Sequence, residues 1–167
     1  MLQIFPPPDW CLVSGALVLQ FGASPLWCIN PFVKMYQVSK QISFCYGHRL
    51  LKHPGKCARL HGHNAVAEIV CASRALNSSQ MVVDFEAITG ALRSWIDSEL
   101  DHRMILNRQD PLVPVLKKWH EPCFLTTGNP TAEAIAKLVF DRAKQAKLPV
   151  QKVVLWETPT SSASYCG

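Results

Sequence analysis

Lys56-Cys57-Ala58-Arg59-Leu60-His61-Gly62-His63 runs directly into Asn64-Ala65-Val66-Ala67-Glu68-Ile69-Val70-Cys71. A strand over residues 61–71 has a side-chain period of two, which places His61 and His63 on one face with Ala65, Ala67 and Ile69. Residues 36–48 alternate in the same way, with Tyr36, Val38, Ile42, Phe44, Tyr46 and His48 on one side. Antiparallel pairing of the two strands carries His48 up beside the other two histidines. Three neutral imidazoles suit zinc and leave a fourth position for water or substrate, the pattern of a catalytic rather than a structural site. A lone His-x-His is more often an ordinary pair of histidines. The third histidine on a compatible strand, and Cys57 four residues before His61, favour the metal.

Working outward, the 167 residues suit one domain large enough to bury a sizeable core. The net charge of +5 is modest and lies wholly after residue 34, since Asp9 and Lys34 are the only charged residues before that point. Such a balance suits a small anionic substrate, and the absence of a basic run argues against nucleic acid. Seven cysteines without a Cys-x-x-Cys pair argue against a disulfide framework and fit a reducing, cytoplasmic setting. Residues 1–34 read as a foreign piece. Pro6-Pro7-Pro8 precedes an uncharged run from Trp10 to Val33 that glycines and prolines break. No basic start marks it as a secretory signal, and Gln20, Asn30 and the prolines make it a poor membrane helix. The expectation is an extension (1–34) outside a single domain (35–167), with no membrane association.

Along that domain, Asn77-Ser78-Ser79 marks a turn and Met81-Val82-Val83 reads as a short strand. Asp84 caps a helix with Phe85, Ile88, Leu92, Trp95 and Ile96 on one stripe. Leu100-Asp101-His102 ends it, where the helix dipole alone favours a histidine. Leu112, Val115 and Leu116 predict a short helix, and Cys123-Phe124-Leu125 a brief extended piece. Asn129-Pro130-Thr131 reads as a helix start with Asn129 as cap, followed by a stripe of Ile135, Leu138, Val139 and Ala146. Val150–Thr158 is the next strand, with Glu157 near its end, and residues 163–166 a last short one. The main elements follow in the order ββααββ. That order predicts an α+β fold, an antiparallel four-stranded sheet with two helices on one face.

Phe44-x-x-x-His48-Arg49-Leu50, Cys57-x-x-x-His61-Gly62-His63, Val83-Asp84-Phe85, Leu100-Asp101-His102, Asn129-Pro130-Thr131 and Glu157-Thr158 occur in this order. With them, residues 35–167 resemble the 6-pyruvoyl-tetrahydropterin synthase and 6-carboxytetrahydropterin synthase family. The resemblance implies the tunnelling fold and a homo-oligomer, usually a hexamer. It implies Zn2+ on His48, His61 and His63, Cys57 as catalytic thiol with Asp101 and His102 as acid/base partners, and Glu157 as anchor of the pterin ring. The implied substrate is 7,8-dihydroneopterin triphosphate. The short Cys-to-His spacing resembles the carboxy-forming enzymes of queuosine and 7-deazaguanine synthesis, lyases that release acetaldehyde and triphosphate. The pyruvoyl-forming enzyme is the alternative within the family, and a non-catalytic module with Cys57 as fourth zinc ligand is the alternative outside it. Taken alone, Cys57 reads as an inert buried thiol and Glu157 as solvated surface. Two departures stand out. Tyr46-Gly47 replaces two small residues, and residues 108–125 form a longer connection.

Overall fold

A computed structural model describes residues 34–167. The expectation for the N-terminal extension falls outside the described residues. The first strand, β1 (Tyr36–His48), pairs antiparallel with β2 (His61–Ser73) along its whole length, with Tyr46 opposite His63 and His48 opposite His61. This register is the one that the alternating pattern predicts.

The chain then forms α1 (Phe85–Glu99), β3 (Arg103–Asn107), α2 (Val113–Lys118), β4 (Cys123–Thr126), α3 (Ala132–Gln145), β5 (Val150–Thr158) and β6 (Ser161–Cys166). The sheet has six strands in the order β4-β3-β1-β2-β5-β6 and is mixed, because β3 runs parallel to both β1 and β4. The expected four-stranded antiparallel sheet with two helices is therefore corrected to six strands and three helices, still within α+β. The reason lies in β3, Arg-Met-Ile-Leu-Asn. Ile105 and Leu106 are both fully buried, so this parallel strand is covered on both faces and carries no period of two to betray it.

One face of the sheet carries the core. Ile42, Phe44, Ala65, Ala67, Ile69, Val153 and Leu155 pack against Ile88, Leu92 and Ile96 of α1 and Ile135 and Val139 of α3. Each aliphatic side chain removed from water in this way contributes about 1.5–3 kcal/mol before the ordering entropy is counted. Asp84 caps α1 as expected, accepting from the Glu86 N–H at 2.8 Å. Four local expectations are corrected. Ala146 is the exposed C-cap of α3, and Ala143 takes the buried place in its stripe. Phe85 lies outside the stripe and is half exposed. Met81–Val83 forms no strand. The cap of α3 is Thr131, whose hydroxyl accepts from the Ala134 N–H, and this releases Asn129 for another task.

Candidate active site

Two clusters of ligand-type side chains flank the end of β1. In the first, one Nδ1 or Nε2 atom from each of His48, His61 and His63 lies within 4.8 Å of the others. Strand pairing places these residues, and hydrogen bonds fix their rings. The Nδ1–H of His48 donates to the Pro130 carbonyl at 2.8 Å, and that of His61 to the Arg59 carbonyl at 2.8 Å. A carbonyl only accepts, so in each neutral ring Nε2 is the bare nitrogen. These two bare nitrogens face each other at 3.0 Å. The Nε2 of His63 is buried and has no partner. Lone pairs aimed at lone pairs, with a third buried nitrogen unsatisfied, are repulsive unless a cation lies among them. The three imidazoles thus fit a transition metal on the chemistry of the donor set.

Burial holds His48 below the ordinary imidazole range, with the Pro130 carbonyl and Glu157 opposing and His61 and His63 adding to the shift. It is therefore kept neutral, the form that binds metal. Glu157 enters from β5. Its Oε1 stands 3.8 Å from His48 Nε2 and 3.9 Å from His63 Nε2, and accepts the Tyr46 hydroxyl at 2.7 Å. Burial, reinforced by the Glu157 carboxylate, pushes the Tyr46 hydroxyl upward, so it remains a donor. Tyr46 is thus the hydrogen-bond partner that orients Glu157.

A clamp behind the histidines was hidden in the Asn129-Pro130 motif. Asn129 accepts from the Leu51 N–H at 2.8 Å and donates to the Leu51 carbonyl at 3.0 Å. These bonds tie the exit of β1 to the segment whose Pro130 carbonyl holds His48. Next to His48, Arg49 makes a two-pronged contact with Asp110, with Nε to Oδ2 at 2.7 Å and Nη2 to Oδ1. Its hydrogen bonds hold Asp110 below the usual carboxylate range despite burial. Gly62 is required between the two histidines, because an added Cβ would come within 2.8 Å of the Tyr46 carbonyl oxygen.

The second cluster is Cys45, Asp101 and His102. Cys45 points to the face of β1 opposite Tyr46 and His48, as its odd position requires. The turn after α1 is stitched to it three times. The Cys45 N–H donates to Asp101 Oδ1 at 2.8 Å, the His102 N–H donates to the Cys45 carbonyl at 2.8 Å, and Cys45 Sγ lies 3.4 Å from His102 Nε2. The His102 Nδ1–H donates to Asp101 Oδ2 at 2.8 Å. Burial pushes Asp101 upward, but these donors outweigh it and hold the carboxylate below its usual range. His102 has φ +55°, an uncommon conformation for a non-glycine residue and one that turns its ring back toward β1.

Cys57 sits on a single 3₁₀ turn, Lys56–Ala58, anchored by the Leu50 N–H on its carbonyl at 2.8 Å. Its thiol belongs to neither cluster. One chain therefore brings His48, His61 and His63 together with Glu157, and joins Asp101 to His102, but leaves Cys57 apart from both groups.

The profile of the 6-pyruvoyl tetrahydropterin synthase family matches residues 37–167. The 6-carboxy-5,6,7,8-tetrahydropterin synthase of Aquifex aeolicus is 35% identical over 158 residues, covering 78% of this chain and 97% of that protein. The enzyme of the same name from Haemophilus influenzae is 32% identical, covering 78% and 99%. Among solved structures, the 6-pyruvoyl tetrahydropterin synthase of Caenorhabditis elegans superposes with a TM-score of 0.59 at 26% identity, covering 81% of this chain and 97% of that one.

Proposed function

The chain belongs to the 6-pyruvoyl tetrahydropterin synthase family, and from that premise we propose that it is a zinc-dependent 6-carboxy-5,6,7,8-tetrahydropterin synthase. In this reading 7,8-dihydroneopterin triphosphate and water give 6-carboxy-5,6,7,8-tetrahydropterin, acetaldehyde and triphosphate, in queuosine or 7-deazaguanine synthesis. The observation that carries it is the pair of facing lone pairs on His48 and His61, with the unpartnered Nε2 of His63 and a carboxylate beside them. His48, His61 and His63 would hold the metal, which would supply Lewis acidity beside the hydroxyls of the substrate side chain.

The remaining residues bind and move protons. Glu157 presents carboxylate oxygens to the N–H groups on the pyrimidine edge of a pterin, held in place by the Tyr46 hydroxyl. Cys57 takes a proton from the side-chain carbon as general base. Asp101 holds His102 in the tautomer whose Nε2, 3.4 Å from Cys45 Sγ in the same chain, can accept a proton. In a single chain this pair sits across β1 from the histidines, so it serves the site of a neighbouring copy. That placement supports a homo-oligomer, taken here as a hexamer. Residues 35–167 form the catalytic unit, and residues 1–34 are dispensable to it. No helix among the described residues is long and apolar enough to cross a membrane, and in this reading the enzyme acts in the cytoplasm.

The test is to incubate the purified protein with dihydroneopterin triphosphate and identify the products. Carboxy-tetrahydropterin with acetaldehyde supports the reading. Pyruvoyl-tetrahydropterin as sole product moves the chain to the pyruvoyl-forming activity, and no turnover by the zinc-loaded protein rejects both.

A further inference from the structure

We infer that Cys45 is a second, activated thiol, a site for soft carbon electrophiles distinct from Cys57 and built by Asp101 and His102. The proton assignment follows from the geometry. An ionised carboxylate only accepts, so the proton between Asp101 Oδ2 and His102 Nδ1 belongs to the imidazole. The Nε2 of neutral His102 is then an acceptor, and the one donor it meets at 3.4 Å is the Cys45 thiol. Transfer of that proton leaves a thiolate beside an imidazolium that Asp101 stabilises, the arrangement that makes a cysteine nucleophilic.

Two features separate this from a chance contact. Both backbone groups of Cys45 are tied to the same turn that carries Asp101 and His102, so the thiol and the ring move as one unit. The left-handed backbone of His102 also shows that the chain accepts an uncommon conformation in presenting this ring. The thiol opens on a cavity of about 440 Å³, also lined by Asn64 of β2, Arg103 of β3 and Glu121 from the segment before β4. In the single chain the His102 side chain is 79% exposed, and a reagent as small as iodoacetamide can enter the cavity.

In the reaction with iodoacetamide, sulfur attacks the methylene carbon, the C–S bond forms as C–I breaks, iodide leaves, and the proton stays on His102. A free thiol is only a few per cent thiolate at neutral pH. With His102 Nε2 placed 3.4 Å from the sulfur to take its proton, the expected gain in labelling rate is about tenfold.

The experiment is timed labelling of the full-length, zinc-loaded protein with iodoacetamide at pH 6.5, read cysteine by cysteine by peptide mass spectrometry. Cys45 should label about tenfold faster than the more exposed Cys166, which has no histidine partner. Asp101→Asn keeps an oxygen for the Cys45 N–H but turns an amide N–H toward His102. The ring must then put its proton on Nε2, where it can no longer accept the thiol's. In that variant, and in His102→Gln, the advantage over Cys166 should collapse to about twofold or less. A thermal melt of each variant checks folding, and Asp101→Asn suffices if His102→Gln does not fold. Wild-type Cys45 labelling no faster than Cys166, or a rate unchanged in Asp101→Asn, overturns the proposal. Because labelling reads no turnover, it stands or falls apart from the proposed synthase activity.

Discussion

The two clusters beside the end of β1 are built from similar residue types, yet their donors and acceptors add up differently. In Cys45–His102–Asp101 every polar atom of the chain has a partner of the opposite kind, from backbone N–H through carboxylate and imidazole to thiol. That cluster is complete as it stands and can pass a proton. In His48–His61–His63 the Nδ1 atoms of His48 and His61 spend their protons on two backbone carbonyls, so their Nε2 atoms meet without a proton between them, and the buried Nε2 of His63 has no partner. That cluster is deficient by one cation. The comparison teaches that a group of histidines is best read as a metal site from where its protons go. Proximity alone does not separate the two cases.

The largest expected effect asks which cluster Cys57 serves, since its thiol joins neither in a single chain. If it is the general base, Cys57→Ala should keep its zinc and thermal stability and lose about 10²–10⁴-fold in turnover. Zinc content and rate measured on one preparation decide the matter. A zinc-depleted, unstable variant would mean that the thiol completes the histidine cluster.

The frame around the histidines comes next. Asp110→Asn should cost about 2–3 kcal/mol at neutral pH, less than for a fully buried pair because Arg49 keeps some water. The folded-state value of Asp110 is depressed by Arg49. Its stabilisation is therefore present above the ordinary carboxylate range, near pH 4, and is lost as pH falls through the lower folded value. Denaturant melts of wild type should weaken below about pH 4, and Asp110→Asn should weaken less steeply. Parallel pH profiles for the two proteins would show that the ion pair contributes nothing.

Asn129→Ala should lower zinc affinity roughly 10–100-fold, the usual effect of losing support behind a ligand, because Leu51 and Pro130 are no longer tied together. Chelator competition reads this directly. Unchanged affinity would mean that the Pro130 carbonyl is held without the clamp.

The smallest expected effect is the sharpest contrast. Cys45→Ala should leave zinc per chain unchanged, because the Cys45 cluster is satisfied without a cation. Loss of zinc in that variant, or a second zinc per chain in wild type, would erase the distinction between the clusters.

The histidine site was legible in the sequence because period-two alternation on two long strands is a local property. It put His48, His61 and His63 on matching faces before any partner was known, and the same rule made Asp84 and the Ile88–Leu92–Ile96 stripe readable. What the sequence could not carry were relations between distant segments. β3 is short and buried on both sides, so it leaves no periodic trace, and its parallel pairing to β1, like that of the brief extended piece β4 to β3, follows from the tertiary packing. Asn129 before a proline carries the local signal of a cap, yet its amide is spent on Leu51, 78 residues earlier in the chain. Cys45 lies 57 residues from His102 and in sequence looks like any half-buried strand thiol. By itself the sequence determined the family, the α+β class and the metal-type histidines, because those rest on residue type and short spacing. Which protons the histidines keep, which thiol meets His102 and what holds His48 in place were decided by the tertiary structure, because each depends on a partner the chain supplies from far away.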